Sequence, residues 1–120
     1  MGKARIEKYI PKAIKAIDKH LSVNGEIPGV YKGYISSFGS GIISGGLLAT
    51  VAFYENNQAN SNQDRRKMTL ALLEIVSDTN INDSSLFNYI RKQEITNELV
   101  DKVVDAAIAL KLAMRTYKLV

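Results

Sequence analysis

Apolar residues recur along most of the chain at intervals of three and four. Ile6, Ile10, Ala13, Ile14, Ile17 and Leu21 mark one face of a helix running from Lys3 to Leu21. Pro11 falls inside that pattern, so the helix either begins there, with proline in its first turn, or kinks there. Asn24-Gly25 and Pro28-Gly29 punctuate Ser22–Gly29 as a loop. A short helix is predicted over Val30–Phe38, then a break at Gly39 and a long helix capped by Ser40 and ending at Tyr54. Glu55–Asp64 is polar and Asn-rich and reads as an exposed loop. The next helix, from about Gln63 to Ser77, carries Met68, Leu72 and Ile75 on one face. A shorter one after Asp83 or Ser84 carries Leu86, Phe87 and Ile90. Thr96 caps the last helix, which is predicted to reach nearly to Val120. No run of alternating β-branched residues is bounded by turns, so no strand is predicted. The pattern predicts an all-α fold: one compact bundle of five or six helices, forming a single helical domain over residues 1–120.

One stretch departs from the amphipathic rule. The 22 residues from Gly33 to Tyr54 carry no charge, long enough to cross a bilayer, and Gly41 and Gly45 form a GxxxG pair. Four serines and five glycines dilute the apolar content, and only Ile42–Tyr54 is strongly apolar. A buried helix, with Gly45 and Gly46 letting a neighbour approach closely, fits better than a membrane span. A membrane-associated protein using Gly33–Tyr54 is the alternative.

Composition narrows the chemistry. There is no cysteine, which excludes disulfides and thiolate metal sites. The N-terminal stretch mixes charged and apolar residues and lacks the apolar core of a signal peptide, so a cytoplasmic address is expected. His20 is the sole histidine, no serine sits in a nucleophile elbow, and the carboxylates scatter singly. No catalytic residue, metal site or cofactor is therefore predicted. The glycines around Gly39–Gly46 have neither a preceding strand nor the lysine of a phosphate loop.

The basic residues are more organised, within a net charge of +4. Lys8, Lys12, Lys15 and Lys19 share one arc of the first helix, opposite its apolar face and with no acid among them. Arg65, Arg66 and Lys67 sit in the first turn of their helix, where the macrodipole disfavours cations. The last helix has an ordinary core stripe through Leu99, Val103, Ala106, Leu110, Met114 and Tyr117. A second stripe runs Val100, Val104, Ala107, Lys111, Arg115, Lys118, apolar first and basic afterwards. It reads as a protein-contact surface that passes into a polyanion-contact surface. The bland alternative is a half-buried helix with a solvated end.

With these residues in view, the chain resembles the small helical subunit of type III-B (Cmr) CRISPR effector complexes. The resemblance is strongest over Tyr31–Tyr54: a short helix, a small-residue turn, and a helix bearing Ile42 or Ile43, Gly46, Leu47 and the Val51–Tyr54 end. A polar loop follows, and Leu110–Arg115 is similar to the family's closing helix with its basic pair. The resemblance implies a subunit without nuclease activity. It implies partners among the other Cmr subunits, both the backbone subunit and copies of itself, and guide and target RNA in the assembled complex. Lys8, Lys12, Lys15, Lys19, Lys111, Arg115 and Lys118, with Arg65–Lys67, would then meet RNA phosphates, which are recognised by shape and charge. A helical protein-interaction adaptor whose lysines serve only solubility is the competing reading.

Overall fold

The computed structural model describes residues 2–56, 62–77 and 85–120. The turn at Gly46 shapes it most. The uncharged run is two helices, α2 (Val30–Gly45) and α3 (Leu47–Tyr54), with Gly46 between them at φ 95° and ψ 158°. That backbone is open essentially to glycine alone. Gly39, where the sequence predicts the break, lies inside α2, and Ser40 caps nothing. A glycine within a helix costs only about 1 kcal/mol against alanine and does not stop it. Tyr31, Ile35, Phe38 and Ile42 recur every three or four residues on the buried face and carry α2 through Gly39. The close approach between the two helices is also displaced from its expected place. A Cβ at Gly41 would lie 3.0 Å from Thr50 Oγ1, whereas one at Gly45 or Gly46 would meet nothing within 4 Å. Gly41 is the packing glycine, Gly46 the conformational one, and the predicted packing role of Gly45 and Gly46 is corrected. Among the described residues no helix is long and apolar enough to cross a membrane.

The first helix, α1 (Lys3–Ala16), starts before Pro11 and runs through it. Proline inside a helix costs about 3 kcal/mol, opposed here by the burial of Tyr9, Ala13 and Ala16. A π-helical turn, Ile17–Leu21, continues α1, closed by Ser22 N–H donating to the Ile17 carbonyl at 2.8 Å. Asn24 and Gly25 both adopt positive φ (53° and 78°), and Val23 and Glu26 exchange backbone hydrogen bonds across them. This is the reversal that an Asn-Gly pair favours.

The chain then forms strand β1 (Glu26–Ile27), which pairs in parallel with β2 (Lys118–Leu119) near the C-terminus. Two residues are too few for an alternation pattern, so the sequence shows no sign of either strand. The pairing is extended by Gly29 N–H to Val120 O at 2.8 Å and Val120 N–H to Ile27 O at 2.9 Å. The last helix therefore stops earlier than predicted. It is α6 (Asn97–Met114), capped as expected by Thr96, whose Oγ1 accepts from Leu99 N–H at 3.1 Å.

Between these lie α4 (Asn62–Val76) and α5 (Leu86–Arg91), the latter capped by Ser85. Of the predicted Glu55–Asp64 loop, residues 57–61 lie outside the described residues and Asn62–Asp64 belong to α4; the proposed Asp83 or Ser84 start of α5 also lies outside them. Among the described residues six α-helices enclose one core, with α6 at its centre against α1, α2 and α4. Leu99, Val103, Ala106, Leu110 and Met114 are buried along it, as the core stripe requires, and Tyr117 follows half-buried beyond the helix end.

A charge sits in that core. Asp105 is fully buried on α6, 3.2 Å from the Arg5 guanidinium and 3.0 Å from Gly2 N–H, both through Oδ2. The pair ties the start of α1 to the middle of α6. Two outcomes test this frame by chemical denaturation. Gly46→Ala is expected to cost about 1–3 kcal/mol through backbone strain, while Gly45→Ala costs nothing or stabilises. Arg5→Leu should cost about 1–3 kcal/mol by stranding the Asp105 carboxylate, and adding Asp105→Leu to it should recover stability. Additive losses in the double variant would contradict the pairing.

Candidate nucleic-acid interface

The four lysines of α1 and its π turn do not form one free ridge. Lys8 and Lys15 are exposed. Lys12 is half-buried, its Nζ donating to the Ile75 carbonyl at 3.3 Å and lying 5.8 Å from the Tyr9 ring centroid. Lys19 Nζ lies 2.6 Å from Glu74 Oε1, and His20 Nε2 is 3.2 Å from the same oxygen. The stripe has no acid of its own, but α4 supplies one. Burial pushes the Glu74 carboxyl up, yet hydrogen bonds and charge from Lys19 and His20 outweigh it and hold it below its ordinary value. The π turn aims Lys19 and His20 at α4, and it makes the end of the ridge a helix–helix clamp.

The Arg65–Lys67 group divides as well. Arg66 and Lys67 are exposed, whereas the half-buried Arg65 lies over aromatic rings from α2 and α3. In the last group, Lys111 is in the final turn of α6, where the macrodipole favours a cation. Arg115 is the C-cap of α6 and Lys118 belongs to β2, so the predicted stripe ends as a helix before its last two members. Lys118 Nζ turns toward Glu26 Oε2, 3.7 Å away across the strand pair. Of the proposed contact residues, Val100 and Val104 are half-buried against the core, and Ala107 is 4% exposed. Ala107 offers no surface; it packs within the core.

Lys111 and Arg115 converge with a residue that sequence reasoning missed. Lys32 on α2 joins them around a cleft of about 110 Å³, floored by Met114 and Leu119. No carboxylate lines it. The turn that follows α6 fixes this geometry. Tyr117 donates to Asp18 Oδ1 at 2.8 Å, burial and then the Asp18 carboxylate pushing the phenol up to about 12. The strand pair anchors the segment on its other side. The only trace of Lys32 in the sequence is that it is the last charge before the uncharged run. Among the described residues, no group of three His, Asp or Glu side chains could hold a metal ion.

A family model for CRISPR-associated protein (Cas_Cmr5) matches residues 4–114, from the first turn of α1 to the last residue of α6. The chain belongs to the Cmr5 family. It is thereby a small subunit of the Cmr (type III-B) CRISPR complex, and membership implies association with other subunits of that complex. Comparison with curated proteins and with solved structures gave no match. Within the Cmr5 match lie Lys32 and Lys111, while Arg115, Lys118 and β2 follow it.

The Glu74 clamp has a pH signature. A carboxyl whose folded pKa is depressed adds stability above its unfolded pKa and loses it as pH falls through the folded value. Glu74→Gln should therefore lower the thermal midpoint at pH 7 by the equivalent of about 0.2–1 kcal/mol. The gap to wild type should close below the ordinary carboxyl value of 4.5. A gap that persists at pH 3 would assign the loss to packing.

Proposed function

We propose that this Cmr5-family chain is a non-catalytic subunit that stacks along the backbone filament of the effector complex and holds guide or target RNA by its phosphates. The observation that carries this reading is the convergence of Lys32, Lys111 and Arg115, from two helices, on one cleft with no carboxylate. Cations placed together without counter-charges repel one another and are stabilised by an anion from outside. A phosphodiester backbone supplies that anion repeatedly and makes no demand for base-reading groups. Lys8, Lys15, Arg66 and Lys67 are exposed and serve as further phosphate contacts. Lys12, Lys19 and Lys118 contribute charge while engaged to protein groups. Sequence choice is left to the guide.

A second surface supports the protein half of the reading. Ile43 is 82% exposed at the end of α2, with Leu48 on α3 and Ile95 before α6 also exposed. Leu48 and Ile95 border the same shallow apolar groove at the α2–α3 corner. This corner, with the exposed halves of Val100 and Val104, is the surface offered to other Cmr subunits, a neighbouring copy among them.

Each phosphate contact contributes about 0.7 to the log–log salt slope for a single strand. In the assembled complex, Lys32→Ala with Lys111→Ala and Arg115→Ala is expected to flatten the slope of RNA binding by about 2, with helicity unchanged. An unchanged slope would mean that this cleft faces no RNA, and the adaptor reading would take its place.

A further inference from the structure

Arg65 is held in an unusual way for a residue beside two solvent-facing cations. Its guanidinium lies 4.9 Å from the ring centroid of Phe53, 5.6 Å from that of Tyr34 and 5.9 Å from that of Tyr54. Phe53 is 56% exposed. Its ring nevertheless has a fixed setting. Tyr54 meets it at 5.5 Å and 77°, and Tyr54 is itself anchored by its hydroxyl donating to the Tyr34 carbonyl at 3.0 Å. The edge contact with Tyr54 and the Arg65 cation over the ring hold Phe53 while much of it stays open to solvent.

Beside the ring, a shallow groove of about 410 Å³ follows the α2–α3 seam. Ser37, Ser44 and Thr50 line it with Phe53 and Tyr54, and no charged residue does. Arg66 and Lys67, next along the chain, are exposed. A fixed aromatic face, a planar guanidinium, a flat uncharged slot edged by hydroxyls and neighbouring cations are the parts of a base-stacking site. The ring and guanidinium accept the π face of any base, and the cations take the flanking phosphates. A protein partner could use the groove, but it gives no reason for an exposed aromatic ring held against a guanidinium.

The position agrees. On the α2 wheel, Lys32 and the groove residues Ser37 and Gly41 lie on opposite flanks of the helix. The ridge between them presents exposed Ser36, Ser40 and Ser44. A strand leaving the cleft of Lys32, Lys111 and Arg115 would cross this ridge of small hydroxyl-bearing residues to reach Phe53.

We infer that Phe53 and Arg65 form a stacking platform for one unpaired nucleobase of an RNA strand, with Arg66 and Lys67 on the adjoining phosphates. The inference rests on the RNA-contact reading above and adds to it a base contact that tolerates any sequence.

The test uses the full chain at low salt with single-stranded oligouridine carrying one 2-aminopurine, for wild type, Phe53→Leu and Phe53→Tyr. Wild type should quench the 2-aminopurine on binding. Phe53→Leu should abolish the quenching and weaken binding about fivefold or more, with the salt slope unchanged because no charge is lost. Phe53→Tyr, which keeps the π face, should behave as wild type. Salt-dependent binding by wild type without quenching, or wild-type affinity and quenching in Phe53→Leu, overturns the stacking platform and leaves the phosphate reading standing. If Phe53→Leu keeps RNA binding but fails to enter the Cmr complex, Phe53 anchors a protein and the platform is likewise overturned. Absence of any salt-dependent RNA binding by wild type overturns the stacking platform, and the phosphate reading is then decided by the salt slope of the assembled complex.

Discussion

A helix can turn back on itself without a loop only where one residue leaves the ordinary backbone regions, and here that residue is Gly46. Its φ of 95° and ψ of 158° let α2 and α3 follow each other directly. Much of the remaining architecture depends on that reversal. It brings Thr50 onto Gly41, where a Cβ would lie 3.0 Å from Thr50 Oγ1. It sets Tyr54 against Phe38, with ring centroids 5.4 Å apart, and within reach of the Tyr34 carbonyl. It also turns the uncharged run from a rod as long as a bilayer is thick into two sides of a corner. The exposed apolar residues Ile43 and Leu48 flank that corner, and exposed Phe53 lies near the far end of α3.

The second organising element is α6, buried along most of its length. It joins the structural and functional halves of the molecule. Its middle holds Asp105, which fixes α1 through Arg5. Its end holds Lys111 and Arg115 beside Lys32 of α2. Beyond Met114 the chain leaves the helix, is tied to α1 by Tyr117 and to β1 by the short strand pair. The basic cleft is therefore shaped by contacts on both sides of the helix end; Lys111 and Arg115 sit where the dipole of α6 favours them, whereas Lys32, in the first turn of α2, does not.

Charge is used in two ways on this surface. Lys12, Lys19, Lys118 and Arg65 are committed to carbonyl, carboxylate or aromatic partners of the fold itself. Lys8, Lys15, Arg66 and Lys67 extend into solvent. A surface ion pair such as Lys19–Glu74 contributes little to stability, about 0–1 kcal/mol, but it fixes direction. It keeps the π turn against α4 and orients the rest of α1.

The sequence by itself determined the fold class, the helical faces and the cap of α6, because these follow from local rules: the 3.6-residue period, the N-cap hydroxyl of Thr96, and the turn preference of Asn24-Gly25. It also carried the family, through the small-residue and aliphatic pattern of Tyr31–Tyr54, which the match over residues 4–114 supports. It did not say which of several glycines turns the chain, since a positive φ at Gly46 and a helical one at Gly39 look alike in a string of letters. Nor did it show the strand pair, because β1 and β2 are two residues each and 92 residues apart in register (Glu26 with Lys118). Only the tertiary structure decided which cations are spent within the fold and which converge. Glu74, Ile75, Phe53 and Lys32 all come from other helices than the basic residues they meet, and a periodic pattern read along one helix carries no information about its neighbours.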